Sequence, residues 1–309
     1  TYDGDVILGA NTTLTTTNSD IKFDSKLDGS HTLSLTTGSG DITFGNTVGE
    51  TNPLGAINIT SANNVSFTGD VEAASLAVSG TSAINADITT SGNQTYTGAV
   101  TLDGTDDTIT LTGSTVTFTN TVENASSQTL AITGNAVFGN TVGAGTALTS
   151  LSVSGTSAIN ADITTTGEQT YGGAVTLGAD VELTAKDGAT NSTVTFTNTV
   201  ENASSQTLGI TGNAVFGGTV GDGTALTSLA VSGTSAINTT TITTSGTQTY
   251  TGAVTLGENA SLTTTNSDII FGSNLDGSHT LSLTTGTGSI TFGSTVGSAA
   301  QPLSRLVLR

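Results

Sequence analysis

Between residues 32 and 48 the chain reads TLSLTTGSGDITFGNTV, and its large side chains fall on alternate positions: Leu33 and Leu35, then Ile42 and Phe44. A period of two places such residues on one face of short β-strands, and no stretch repeats apolar residues at helical spacing for three turns. Gly38 and Gly40 separate the two runs, the mark of a corner, and Val48 opens the next side.

The last part of that stretch, an aromatic residue or Ile followed four positions later by Val, Ile, Leu or occasionally Thr, recurs along the whole chain. Copies start at Tyr2, Phe23, Phe44, Phe67, Ile84, Tyr96, Phe118 and Phe138, and again at Ile159, Tyr171, Phe196, Phe216, Ile237, Tyr250, Phe271 and Phe292. Most intervals are 20 to 23 residues; the exceptions are a 17, a 25 and three steps of 12 or 13 that end on Tyr. The centre of the motif is small: Asn46, Gly69, Gly98, Asn120, Asn140, Gly173, Asn198, Gly218. Gly and Asn tolerate left-handed backbone angles, so the motif reads as the corner of a coil with its aromatic residue and Val both turned inward.

Short strands joined by corners at a fixed period predict an all-β fold, a parallel β-helix (β-solenoid) of about 16 coils of roughly 19–21 residues. Each coil then closes its backbone hydrogen bonds on its neighbours. Outward strand positions favour β-branched Thr, and Asn at successive corners has the spacing of a ladder. Phe44, Phe118, Phe138, Phe196, Phe216, Phe271 and Phe292 are expected to form the structural core as an internal column. The short steps resolve in one of two ways: a compressed coil, or a point where Ile84, Ile159 and Ile237 occupy a different side from the aromatic column.

A longer period lies over the first. QTYTGAVTL at 94–102 returns as QTYGGAVTL at 169–177 and QTYTGAVTL at 248–256, with TYDGDVIL at 1–8 a diverged copy. Residues 13–49 match 261–297 at 30 of 37 positions. The organisation expected is a single continuous solenoid over 1–309 with sub-repeats starting near 2, 96, 171 and 250, both ends falling inside repeats.

Composition narrows the function. There are 40 Gly and 2 Pro, only 9% of residues are charged, and Cys, Met and Trp are absent. Hydrophobic residues make up 34% and are placed with a rhythm, unlike a disordered chain. A formal charge of −19 from 24 acidic and 5 basic residues leaves no cluster to replace phosphate counterions, so no nucleic-acid partner is expected. The same negative sign disfavours docking on anionic lipid, and no run of 18 apolar residues exists, so no membrane insertion is expected. Absence of Cys excludes disulfides and thiolate metal sites.

Candidate chemistry is sparse. LDGTDDT at 102–108 carries Asp103, Asp106 and Asp107, oxygen ligands at a spacing that suits calcium, against a solvated turn. His31 and His279 occupy the same place in LDGSHTLSL, 248 residues apart, and read as corner or surface residues. Lys22 and Lys26 flank Phe23 and Asp24, a pattern of solvated surface pairs. Asn11, Asn58, Asn124 and Asn202 head glycosylation sequons that Asn- and Thr-rich composition produces by itself. No catalytic residue and no cofactor is expected.

The unit TSAINADITTTGEQTYGGAVTLGADVELT at 156–184, its neighbours at 81–102 and 234–256, and the VTFTNTV and VFGNTV segments resemble the filamentous haemagglutinin-like exoproteins of Gram-negative bacteria. That resemblance implies a right-handed β-helix in a large secreted protein of the cell surface, serving adhesion, aggregation or fibre formation. The function expected is a structural stalk or filament segment outside the cell, continued end to end by the same long chain or by neighbouring subunits. Two other readings share the fold: an adhesive face for cell-surface or glycan ligands, and a polysaccharide-active β-helix enzyme.

Overall fold

The structure is a computed structural model that describes residues 1–104 and 107–309. The chain forms two compact units, Thr1–Gly155 and Thr156–Arg309. The fold is all-β, a parallel β-solenoid of about 14 turns.

In the first unit each coil has three sides. The first side stacks Ile21–Phe23, Ile42–Phe44, Asn64–Phe67, Thr81–Ile84, Val100–Leu102 and Val122–Asn124. The second carries Leu27, Val48, Val71 and Ile88 in parallel register, followed by Leu111, Ile132 and Val153. The third aligns Leu14, Leu35, Ile59, Val78, Tyr96, Phe118 and Phe138. Inward positions along these strands are buried and alternate with half-exposed ones, the pattern set by the pleat. The circuit from Phe67 to Ile84, shortest of the full turns, closes because Val71–Val78 runs from the second side into the third with no loop between.

The second unit repeats the plan. One side stacks Ser157–Ile159, Val175–Leu177 and Val200–Asn202 and ends with Thr241–Thr243, Ala260–Thr263, Thr280–Thr284 and Arg305–Leu308. Another runs from Ile163–Thr165 to Ile290–Phe292, and the third from Gln169–Tyr171 to Leu275–Asp276. The long interval after Tyr171 contains a hairpin, where Val181–Asp187 turns back and pairs antiparallel with Thr190–Asn191 around Gly188 at φ 54°.

The turn count corrects the expectation of sixteen. Ile84 stands on Phe67 and under Leu102, on the first side, whereas Tyr96 stands between Val78 and Phe118 on the third. The stretch from one to the other covers two sides, not a full circuit. Ile159 to Tyr171 and Ile237 to Tyr250 do the same. Ile84 and Ile237 therefore keep the columns of Phe67 and Phe216, and Tyr96 and Tyr250 place the next run of rings on another side, above Val78 and Val231.

The aromatic rings accordingly make four runs instead of one column. Tyr2, Phe23, Phe44 and Phe67 stack with centroids 5.0, 5.6 and 5.2 Å apart. Tyr96, Phe118 and Phe138 follow at 5.4 and 5.9 Å, Tyr171, Phe196 and Phe216 at 5.4 and 5.8 Å, and Tyr250, Phe271 and Phe292 at 5.4 and 5.5 Å. Phe44, Phe118, Phe138, Phe196, Phe216 and Phe271 are fully enclosed, while Phe292 is half-exposed. Each stacked pair adds about 0.5–1.5 kcal/mol beyond the area it buries.

The corners differ from the sequence expectation. Asn46, Asn120, Asn140 and Asn198 do not adopt left-handed angles; among the described non-glycine residues only Asn18 and Asn266 do. Each of these four corner side chains turns back instead, its Oδ1 accepting the N–H of the next residue at 2.8 Å. The contacts that hold these Asn are local Asx bonds, not a ladder. Gly98 answers a different demand, close approach: a Cβ there would stand 2.2 Å from the Gly80 carbonyl oxygen one coil below.

Candidate functional site

The polar side chains that the fold places with most care lie inside it, at the column switches. Gln94 and Tyr96 are completely enclosed and Thr90 nearly so. The Tyr96 hydroxyl donates to Gln94 Oε1 at 3.0 Å, and Gln94 Nε2 donates to the carbonyls of Ile88 at 2.9 Å and Thr112 at 2.8 Å. Ile88 lies in the same coil and Thr112 in the next, so one amide ties two turns together. Gln169 and Tyr171 repeat this with Ile163 and Thr184, and Gln248 and Tyr250 with Ile242 and Thr263. Thr90, Thr165 and Thr244 each donate to a carbonyl two residues on, Gly92, Gly167 and Gly246. Both amide hydrogens, the amide oxygen and the phenol hydrogen are used, which a buried network requires. Burial pushes all three phenols well above the usual tyrosine value.

Sequence reasoning found the QTY repeat but not the work of its Gln. The available signal was the identity of a long amide side chain at an inward position in three copies.

A second repeated network holds VENASSQTL at 122–130 and 200–208. Asn124 Nδ2 donates to Ala147 O at 3.1 Å and Asn202 Nδ2 to Ala225 O at 3.0 Å. Their Oδ1 atoms accept the N–H of Gln128 and Gln206. Asn124 and Asn202 are thus buried structural ties, not accessible sequons. Asn11 is exposed, with Oδ1 bound to the Thr32 N–H, and Asn58 is half-exposed.

The acidic residues do more than repel one another. At least twelve of the 24 accept a backbone N–H about one coil on, for example Asp20 from Asp41, Asp41 from Asn64, Asp70 from Asp87 and Asp87 from Thr110. The others are Asp5, Asp28, Glu123, Asp162, Asp180, Glu201, Asp268 and Asp276. Carboxylates satisfy corner donors that the strand ladders leave over.

Of the calcium candidates, Asp103 and Asp107 are exposed and Asp106 lies outside the described residues. No group of three His, Cys, Asp or Glu suited to a metal ion occurs among the described residues. His31 and His279 are half-exposed residues of different units. Lys22 lies 3.8 Å from Asp20, and Lys26 lies 2.5 Å from Glu50. A hydrogen bond from Lys26 holds the Glu50 carboxyl below its usual value, and the same contact raises Lys26. The Ser25 hydroxyl lowers Asp5. These ion pairs lie at the surface with their side chains about half exposed, where such pairs contribute little.

Two surface grooves cross adjacent coils. One of about 480 Å³ in the first unit is lined by Leu54, Gly55, Glu72, Ala73, Thr89 and Ser91. One of about 390 Å³ in the second holds Asp162, Asp180 and Glu182. There, Asp162 and Asp180 already accept backbone N–H groups, and the Glu182 carboxylate lies over Gly209.

The chain matches no protein-family model, no curated protein and no solved structure. What it shares with fibrous adhesins as a class is the β-solenoid repeat fold.

Proposed function

We propose that the chain is a structural segment of a stalk or filament, without catalytic activity, in a secreted protein of the bacterial cell surface. The observation that carries this reading is the threefold recurrence of one buried Thr/Gln/Tyr network, built on the QTY steps at 94–96, 169–171 and 248–250. Its donors and acceptors are spent on holding turn to turn. The repetitive solenoid architecture accords with a filament-like role. Affiliation with the filamentous haemagglutinin-like exoproteins, and with it the extracellular setting, is supported by the repeats of 81–102, 156–184 and 234–256 alone.

Alanine replacement of the outward residues Thr170, Thr195, Thr255 and Glu182, scored by attachment to cells and to a glycan array, tests the reading. Attachment by the intact chain that is unchanged in the variant, or no attachment by either, agrees with a structural role. A sharp loss on replacement would instead establish an adhesive face.

A further inference from the structure

The interval from Tyr171 to Phe196 is three residues longer than that from Tyr96 to Phe118, and the added chain forms the hairpin of Val181–Asp187 and Thr190–Asn191. Ala185 is buried and in register with Thr165; beyond it, Lys186 and Asp187 pair with Asn191 and Thr190 across the hairpin. The Ser192 N–H donates to the Ala185 carbonyl at 2.9 Å, which closes the excursion. Residues 187–191 are exposed. Gly188 and Ala189 make the turn, with φ positive at Gly188 alone, the form that places glycine first.

Asp187 and Gly188 are an Asp–Gly pair. Glycine lacks a Cβ, so a side-chain carboxyl and the backbone nitrogen that follows it meet there with least hindrance. A Cβ added at Gly188 would have nothing within 4 Å. Among the described residues, no hydrogen bond holds the Gly188 N–H or the Asp187 carboxylate.

The second unit has two further Asp–Gly pairs, and both are held. Asp222 and Gly223 are exposed too, but the Gly223 N–H donates to the two Glu201 carboxylate oxygens at 3.3 and 3.2 Å. The Gly277 N–H donates to the Gln301 carbonyl at 3.2 Å, and the Asp276 carboxylate accepts the Ser298 N–H at 2.6 Å. Exposure is shared by two of the three pairs, whereas freedom of both reacting groups belongs to Asp187–Gly188.

We propose that Asp187 is a modification site, converting to isoaspartate in the folded chain. The Gly188 nitrogen attacks Cγ of the Asp187 carboxyl, the nitrogen's hydrogen and the carboxyl hydroxyl leave together as water, and a five-membered succinimide forms. Water then adds to either imide carbonyl. Opening one C–N bond restores Asp187, and opening the other leaves the main chain running through its side chain. Water is the sole co-reactant. Attack requires the Asp187–Thr190 pair to part, and a hairpin of two residue pairs can open locally while the coils stay closed. The product has one more methylene in its backbone and a free α-carboxylate, the group that isoaspartyl methyltransferases esterify from S-adenosylmethionine. The turn is lost, while Val181–Thr184 and Thr193–Phe196 keep their parallel partners.

The test incubates the 1–309 chain, warm and at neutral pH, beside the variants Asp187→Asn and Asp222→Asn. Peptide maps made with endoproteinase Asp-N, which does not cut before isoaspartate, then locate the product. Isoaspartate is expected to accumulate at Asp187 at least tenfold faster than at Asp222 or Asp276, with circular dichroism unchanged. Asp187→Asn reaches the same succinimide by losing ammonia, and its deamidation, read by mass, should outpace that of Asp222→Asn at least tenfold. Equal rates at positions 187 and 222, or an Asp187→Asn chain that keeps its amide, would overturn the assignment. Neither outcome bears on the attachment test of the structural role.

Discussion

The Tyr171 hydroxyl donates a 2.9 Å hydrogen bond to Gln169 Oε1, and neither side chain reaches solvent. The two residues sit on one face of a short strand, two positions apart, so the bond is local. Its effect is not, because Gln169 Nε2 also reaches Thr184 in the next coil.

Gln169→Leu should therefore destabilise by about 2–4 kcal/mol, because the Tyr171 phenol hydrogen loses its acceptor, at about 1–3 kcal/mol, and the Ile163 and Thr184 carbonyls each lose one donor. Tyr171→Phe alone leaves only the amide oxygen unpaired and should cost about 1–2 kcal/mol. The double variant should cost less than the two added together. Urea unfolding of the three proteins measures this, and additive losses would mean that the two side chains act independently.

Phe196→Ala removes a ring stacked between Tyr171 and Phe216 and should cost about 3–5 kcal/mol. Contacts in a solenoid run between neighbours, so hydrogen exchange should accelerate in the coils next to Phe196 and stay unchanged around Tyr2 to Phe44. Uniform acceleration along the chain would contradict a nearest-neighbour architecture.

Much of this was legible beforehand. The alternation of Leu33, Leu35, Ile42 and Phe44 was enough to place strands, corners and inward rings. The aromatic-x3-Val motif marks a corner, but the corners of a coil are chemically alike, so the motif does not say which corner it occupies. Tyr96 and Phe44 look equivalent in sequence and lie on different sides. Side is decided by partners one coil away, such as the Thr112 carbonyl for Gln94 or the Thr110 N–H for Asp87, and spacing along the chain does not reveal them.

Three of the four tyrosines are enclosed, and burial raises their phenols from the ordinary 10.0. A raised folded value means the stabilisation is complete below 10 and is lost as pH rises toward that value. Absorbance titration of the phenolate band should show no more than one tyrosine ionising before the circular dichroism signal collapses, the rest appearing with unfolding. Reversible ionisation of several tyrosines in folded protein would contradict their enclosure.

Ser82, Ser157 and Ser235 occupy equivalent inward positions, and their hydroxyls are buried without hydrogen-bond partners. In parallel register they sit beside Val65 and Val100, Val175, and Ala214 and Val254. Removing an unpaired buried hydroxyl relieves its desolvation. Ser157→Ala and Ser235→Ala should each be neutral or stabilising by up to about 1 kcal/mol in thermal melts. A clear loss of stability would show that the hydroxyl has a partner of its own.

The switch of column at each QTY step makes residues 171–249 a removable block, because joining Thr170 to Tyr250 restores QTY and the corner that follows. Removing residues 159–170 instead takes out two sides of one coil and joins Ala158 to Tyr171. Thermal melting of these two deletion proteins, followed by circular dichroism, tests the three-sided architecture most directly. The account predicts a cooperative β-rich melt with undiminished ellipticity per residue for the longer deletion, and loss of cooperativity for the shorter one. Equal tolerance of both deletions, or collapse of the longer one alone, would contradict it.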